Sequence, residues 1–378
     1  MTDPVLPPAT IGMLGGGQLG RYALMAARTM GYRTMVLEPD PHAPAGAVAD
    51  VHLVAAYDDP DALERLGSEC EVVTTEFENP SSRSLDVLTS MTRVAPSSRA
   101  VAIAQDRIVE KRFLAENGFP VGPFAVVESR DGIPVGDIAY PAILKTARLG
   151  YDGKGQRTVE DRSSMRAGWT LLGSVPCVLE HRLALECELS VVVARNARGA
   201  VDAYPVAQNH HVDGILDLTV VPAPVPPTWS ERAVGMASAI ADALDYVGVL
   251  AVEFFVVDGD LLVNELAPRP HNSGHWTLDV SQTSQFEQQI RAICGVGLGD
   301  TSMTQPAAAM VNLLGDEWDD GPPDWERVFD DRRVALHLYG KSAPRPGRKM
   351  GHLTAWGAST EVAEIRALEA RRALSRRT

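Results

Sequence analysis

Over the first hundred positions, apolar residues come in short unbroken runs, and the segments between them carry helical spacing. Residues 10–14 read as a strand, 15–20 as a glycine turn, and 21–30 as a helix stopped by Gly31. Further strands are predicted at 32–37, 51–55 and 72–75, with a helix at 60–67. Fully apolar strands alternating with helices predict a doubly wound parallel sheet. Beyond this region the pattern changes. Residues 100–117 read as one long helical segment closed by Gly118, 140–145 as a strand ending on Lys145, and 149–156 as a glycine-rich loop. Strands at 175–180 and 188–194, an Ala-rich helix at 230–244 and an apolar hairpin at 251–266 follow, which is an α+β pattern. Pro-rich 222–227 reads as a surface connection, and 316–325 as a separator before a small C-terminal portion. The closing helix, 361–377, gathers arginines near its end, where they complement the helix dipole.

The hairpin carries two acids, Glu253 and Glu265, around the turn residues Asp258, Gly259 and Asp260. With a three-residue loop the glutamates face each other, Cβ atoms roughly 4.5–5.5 Å apart. With a two-residue loop Glu253 pairs with Asn264 instead, and Glu265 turns to the other face. Facing carboxylates repel unless a cation sits between them, and Mg²⁺ favours oxygen ligands shared with phosphates. The competing reading is a half-exposed hairpin with solvated acids. Arg269, His271 and Asn272 directly after the second strand favour the metal–nucleotide reading.

At 378 residues, 45% hydrophobic and 22% charged, the chain has the composition of a soluble enzyme of two or three domains. A formal net charge of −14 argues against nucleic acid or an anionic membrane as partner, although a locally basic pocket stays open. No run of about 18 apolar residues occurs, and the N-terminus has neither a basic nor a long apolar region, so a cytoplasmic protein is expected. Cys70, Cys177, Cys187 and Cys294 are widely spaced, which predicts reduced structural thiols.

Gly15-x-Gly17-x-x-Gly20, with Glu38 ending the next strand, satisfies the local rules of a dinucleotide fingerprint, yet its amides would suit any phosphate. Glu76 and Glu78 end a parallel strand, where open α/β sheets bind ligands, and Glu76 could accept ribose hydroxyls. Three glycines in 150–155 permit a flap whose amides close over a triphosphate, and no Walker A sequence is present. Lys145 and Arg107 add cations. Glu180 and Glu188 could read an adenine edge and ribose, and a basic loop carrying Lys341 and Arg348 could grip a monophosphate. The histidines lack zinc-ligand spacing and suit hydrogen bonding better.

In this order, Gly15-Gly-Gly-Gln-Leu-Gly20, Thr75-Glu-Phe-Glu78, Gln105-Asp-Arg107, Gly150-Tyr-Asp-Gly-Lys-Gly-Gln156, Asn264-Glu-Leu-Ala-Pro-Arg-Pro-His-Asn-Ser-Gly-His275 and Arg348-Lys-Met-Gly-His352 resemble the 5-(carboxyamino)imidazole ribonucleotide synthases, ATP-grasp enzymes of purine biosynthesis. The flap and the Asn264–His275 stretch are the specific carriers. The resemblance implies a Rossmann-like N-terminal domain (1–104), a central ATP-grasp domain with a mobile lid (105–300), a small C-terminal domain (301–378) and a homodimer. It implies that ATP, bicarbonate and 5-aminoimidazole ribonucleotide react through carboxyphosphate. ATP would be held by Arg107, Lys145, the flap residues Gly150, Tyr151, Asp152, Gly153, Lys154, Gly155 and Gln156, and by Glu180, His181, Arg182, Leu183, Glu188, His211, Asn264 and Glu265. Two Mg²⁺ would sit on Glu253 and Glu265. Arg269, His271 and Asn272 would hold bicarbonate and carboxyphosphate, with Asp152 orienting or deprotonating the attacking amine. Gln18, Leu19, Glu76, Tyr151, Lys341 and Arg348 would recognise the ribonucleotide. A formate-using glycinamide ribonucleotide transformylase of the same fold is the alternative, and a nicotinamide oxidoreductase rests on the first glycine loop alone.

Overall fold

Strands β1 (Thr10–Leu14), β2 (Arg33–Leu37), β3 (Val51–Leu53), β4 (Val72–Thr75) and β5 (Arg93–Val94) form a parallel sheet in the order β3-β2-β1-β4-β5, with helices α1 (Gln18–Thr29), α2 (Pro60–Glu69) and α3 (Ser82–Thr89) between them. This is the doubly wound sheet the alternation predicts, and its order reverses between β1 and β4, beside the Gly15–Gly20 loop. The structure is a computed structural model that describes residues 3–79, 82–129, 138–150, 152–319 and 321–374.

The helical segment expected over 100–117 is two helices, α4 (Ser98–Ala104) and α5 (Arg107–Glu116). Asp106 breaks it. Its backbone is extended and its carboxylate accepts the Ile108 and Val109 N–H groups at 3.0 and 3.4 Å, an N-cap that starts a new helix. Next come β6 (Phe124–Val127), β7 (Ala142–Thr146), β8 (Gln156–Val159), α6 (Arg162–Leu171) and β9 (Cys177–His181), whose strands make an antiparallel sheet ordered β6-β9-β7-β8.

The large antiparallel sheet is built from β10 (Cys187–Arg195), β11 (Val201–Ala203), β12 (Ala207–Val212), β13 (Ile215–Val221), helix α7 (Pro227–Ala243), β14 (Gly248–Val257) and β15 (Asp260–Ala267). Helices α8 (Thr277–Val280) and α9 (Gln285–Ile293) follow, then β16 (Ala307–Leu314), β17 (Val334–Leu338), β18 (Lys349–Gly357) and α10 (Thr360–Ala373). The sheet runs β15-β14-β10-β12-β13-β16-β18-β17, with β11 on β10. The C-terminal strands therefore extend the central sheet through β13–β16 pairing. Residues 316–325 do not separate two sheets; they follow β16, which is already paired with β13 and β18. Phe286, Ile290 and Ile293 of α9 pack with Leu19, Tyr22 and Ala23 of α1 in one core, which seats the parallel sheet's unit against the large one. Burying each large side chain there stabilises the contact by roughly 1.5–3 kcal/mol.

The hairpin resolves the register question in neither of the two expected ways. Asp258 (φ 50) and Gly259 (φ 76) make a two-residue turn with positive φ at both positions, and Val257 pairs with Asp260. Such a turn alone would oppose Glu253 and Asn264. Between Glu253 and Phe254 the register shifts by one residue, leaving Asn264 as the extra residue of a β-bulge, so Glu253 lies opposite Glu265 after all.

Candidate active site

The bulge turns Asn264 and both glutamates toward one cleft. Arg107 Nη1 donates to Glu265 Oε2 at 2.8 Å, Asn264 Nδ2 donates to Glu253 Oε2 at 3.2 Å, and His271 Nε2 lies 3.4 Å from Glu253 Oε1. Burial and then the Glu265 charge push the Glu253 carboxyl above the usual carboxylate range. Burial acts the same way on Glu265, but Arg107, Lys145 and Arg269 outweigh it and hold Glu265 low. Asn264 Oδ1 is buried with no hydrogen-bond partner. Two facing carboxylates and an unsatisfied amide oxygen are hard oxygen donors, a set that fits Mg²⁺.

On the facing sheet, Lys145 Nζ donates to Glu180 Oε2 at 2.6 Å, and Lys111 Nζ lies 3.4 Å from Glu180 Oε1. Burial opposes ionisation of Glu180, yet Lys145 and Lys111 hold its pKa at about 2, so it is a fixed anion. His211 Nδ1 lies 2.7 Å from Glu188 Oε2; burial lowers its pKa, but the Glu188 contact wins and raises it. His181 Nδ1 is 2.9 Å from the Ala139 carbonyl, the Arg182 N–H donates to the Pro141 carbonyl and its side chain is exposed, and Leu183 lies against Gly122. In the flap, Asp152 (φ 47), Gly153 (φ 75) and Gly155 (φ 72) are left-handed, and a Cβ on Gly153 would lie 2.5 Å from the Asp213 carbonyl. Glycine is required there because the flap rests on the Asp213-Gly214 turn of the β12–β13 hairpin. The Gly155 carbonyl accepts from the Thr146 N–H at 2.8 Å, while Lys154 and Gln156 carry the flap back into β8. Gly150 accepts from Arg107 at 3.5 Å, and Lys349 Nζ reaches Asp152 Oδ1 at 2.7 Å. Tyr151 lies outside the described residues.

After β15 the chain places Arg269, His271 and Asn272 on one loop. Arg269 Nε donates to Glu78 Oε2 at 2.8 Å. His271 Nδ1 accepts from the Ser273 N–H at 3.3 Å, which leaves its proton on Nε2, facing Glu253. Burial, followed by Arg269 and Lys349, drives its pKa well below the usual histidine value, so the ring is neutral. Ser190 Oγ supports the loop through Ser273 Oγ at 2.8 Å. Both amide atoms of Asn272 are buried and unpartnered.

The glycine loop departs most from the sequence reading. Glu76 accepts the Gly17 N–H and, at 2.7 Å, the Gly20 N–H, while Glu38 accepts the Gly16 N–H at 2.8 Å. The donors a pyrophosphate would need are already taken by carboxylates, so the dinucleotide reading fails here. The same bonds occupy both Glu76 oxygens. Leu19 is only 8% exposed and belongs to the α1–α9 core, so its side chain is not offered to a ligand; Gln18, the first residue of α1, is half-buried. Lys341 Nζ donates to the Lys349 carbonyl at 2.7 Å, and Arg348 Nη1 to the Ala343 carbonyl at 2.8 Å.

Sequence reasoning assigned no role to three charged residues of this region, Glu110, Lys111 and Lys349, and named Glu78 only as a strand-end acid. Lys349 was legible as part of the basic loop. Glu110 and Lys111 carried a fainter signal: Lys111 stands three residues from both Ile108 and Leu114, and Glu110 three from Phe113 and four from Leu114, spacings at which an apolar residue is expected. Of the histidines, His337 and His352 come together with Asp279, one ligand atom of each lying within 4.8 Å of the others. His337 and His352 stack with centroids 4.5 Å apart and planes at 12°, and His337 Nε2 is paired with Asp279 at 3.0 Å.

Three domain families match successive stretches of the chain: the ribonucleotide synthetase preATP-grasp domain over residues 8–105, the ATP-grasp domain over 112–286, and the phosphoribosylaminoimidazole carboxylase C-terminal domain over 308–366. The N5-carboxyaminoimidazole ribonucleotide synthase of Bacillus subtilis is 42% identical over 93% of this chain and 92% of its own length. The chain belongs to the N5-carboxyaminoimidazole ribonucleotide synthases. An ADP complex of such a synthetase superposes with a TM-score of 0.91 at 40% identity, covering 98% of each chain. The Aspergillus clavatus synthase, solved with ADP and 5-aminoimidazole ribonucleotide, superposes with a TM-score of 0.86 at 26% identity, covering 97% of this chain and 98% of that one. This chain is thus an ATP-dependent ligase that carboxylates 5-aminoimidazole ribonucleotide in purine biosynthesis. Among the described residues, no helix is long and apolar enough to cross a membrane.

Proposed function

We propose that ATP, bicarbonate and 5-aminoimidazole ribonucleotide meet in the cleft between the β7–β9 sheet and the β14–β15 hairpin, and react there through carboxyphosphate. A bicarbonate oxygen attacks the γ-phosphorus and ADP leaves; the exocyclic amine then attacks the carboxyl carbon, phosphate leaves, and the amine gives up a proton. Lys145, Arg107 and the flap amides position the triphosphate, and Glu180, Leu183, Glu188 and His211 seat the adenosine end. Glu253, Glu265 and Asn264 would hold Mg²⁺, which when bound neutralises charge on the phosphate oxygens. Arg269, neutral His271 and the unsatisfied Asn272 amide hold bicarbonate and shield the anhydride from water. Asp152, on the flap, takes the amine proton, and Lys349 fixes its orientation. Lys341 and Arg348 bind the ribonucleotide phosphate. The reading includes a cytoplasmic homodimer.

The observation that carries this reading is the bulged register, which sets Glu253 against Glu265 beside Arg107 and His271. Its test is ADP release measured with each candidate one-carbon donor. Bicarbonate together with aminoimidazole ribonucleotide should give stoichiometric ADP and carboxylated product, and release that required formate would overturn the reading.

Lys341 gives the site a pH dependence. Burial, then the Arg348 charge, lowers its pKa to about 8, against the opposing pull of Glu76 and Asp152. The protonated form binds phosphate, so binding is intact below about 8 and lost as pH rises through that value. Accordingly kcat/KM for the ribonucleotide should fall above about pH 8, and Lys341→Arg should move that limb to higher pH. An alkaline limb unchanged in the variant would remove Lys341 from this role.

A further inference from the structure

The bulge at Asn264 flips which backbone groups β15 turns outward, away from β14. Val263 N–H donates outward to the Pro120 carbonyl at 2.7 Å, and the next carbonyl, Asn264 O, also points outward. In a regular strand consecutive residues would alternate. The outward groups beyond the bulge have no strand to pair with, because β15 is the edge of its sheet. They are met by side chains of α5. Lys111 Nζ donates to Asn264 O at 3.0 Å, and Glu110 Oε1 accepts the Leu266 N–H at 2.6 Å. Both side chains are buried, Glu110 at 1% and Lys111 at 2% exposure. Arg107, one turn earlier on the same helix face, grips the Glu265 carboxylate. One face of α5 therefore contacts three successive residues of the bulged strand, and Lys111 also reaches the Glu180 carboxylate of the opposite sheet.

We propose that Glu110 and Lys111 are positioning residues: they replace the missing ladder bonds of β15 and so fix the register in which Asn264 and Glu265 face Glu253. The proposal rests on the assignment of Mg²⁺ to those glutamates. It explains why a glutamate and a lysine are buried on α5 beside Ile108, Phe113 and Leu114, since without backbone partners they would be costly there. A regular edge strand would not need them.

The test uses the full chain with ADP, titrating Mg²⁺ by calorimetry and following amide exchange over residues 261–267. Lys111→Met should weaken Mg²⁺-dependent ADP binding about tenfold, with exchange rising at Leu266 and its neighbours while β10 and β14 stay protected. Lys111→Arg should recover most of the affinity, and Val109→Ala on the exposed side of α5 should change nothing. Glu110→Leu should behave like Lys111→Met, and Glu110→Gln, which keeps an acceptor for the Leu266 amide, should retain protection. The last pair decides the matter even if Lys111→Met does not fold. Unchanged binding and exchange in folded Lys111→Met or Glu110→Leu overturns the proposal, as does loss of protection spread over the whole chain. If ADP binding by the unsubstituted protein ignores Mg²⁺, the metal assignment fails instead.

Discussion

Glu265→Gln will lower kcat for ribonucleotide-dependent ADP formation by about 100-fold or more, a barrier increase of ~3 kcal/mol. The substitution keeps the side-chain shape and removes the charge. Two effects follow from the geometry. A hard oxygen donor becomes a weak one, and Arg107 loses the carboxylate it grips at 2.8 Å, so the triphosphate's cation is no longer oriented. The Glu265 charge also contributes to raising the Glu253 carboxyl, so in the variant Glu253 should ionise at lower pH and keep partial metal affinity. The variant should therefore need more Mg²⁺ to reach its reduced kcat. Steady-state rates across a Mg²⁺ titration, with circular dichroism to confirm folding, check this; a kcat within twofold of the parent protein at saturating Mg²⁺ would remove Glu265 from the chemistry.

Arg269→Ala should lower kcat by about 1,000-fold while KM for ATP stays within about twofold. Its guanidinium sits on the loop with neutral His271 and the unsatisfied Asn272 amide, and the Glu78 carboxylate holds it in place. In the proposed function Arg269 meets charge that develops on the carboxyl group rather than charge already present on ATP. Arg269→Lys should recover little, because a point charge cannot reproduce the planar fork. Rates measured with each substrate varied in turn separate the outcomes. A rise confined to KM for ATP would place Arg269 in nucleotide binding instead.

The parallel sheet was legible because its strands are unbroken apolar runs between helix signals. Strands β12 and β16–β18 were not, since Ala207–Val212 is polar and half-exposed, and the C-terminal strands are recognised by their pairing, β16 on β13, β18 on β16 and β17 on β18, rather than by local pattern. The hairpin's acids could be named from sequence, but not their register. Turn chemistry alone fixes the two-residue loop, and the compensating bulge depends on α5, more than a hundred residues away in the chain. The Gly15–Gly20 loop misled for a related reason. Its spacing is that of an anion site, and only the fold brings Glu76 and Glu38 onto the amides. Long-range hydrogen bonds from ionisable side chains to backbone groups decided both cases, and local spacing carries no record of them.

Oxygen transfer from bicarbonate to phosphate tests the carboxyphosphate route most directly. With ¹⁸O-labelled bicarbonate, ATP and aminoimidazole ribonucleotide, a carboxyphosphate route moves one labelled oxygen into each phosphate released, read by mass spectrometry of the phosphate. Labelled phosphate in step with carboxylated product is the predicted result. Product formed with wholly unlabelled phosphate would contradict the account.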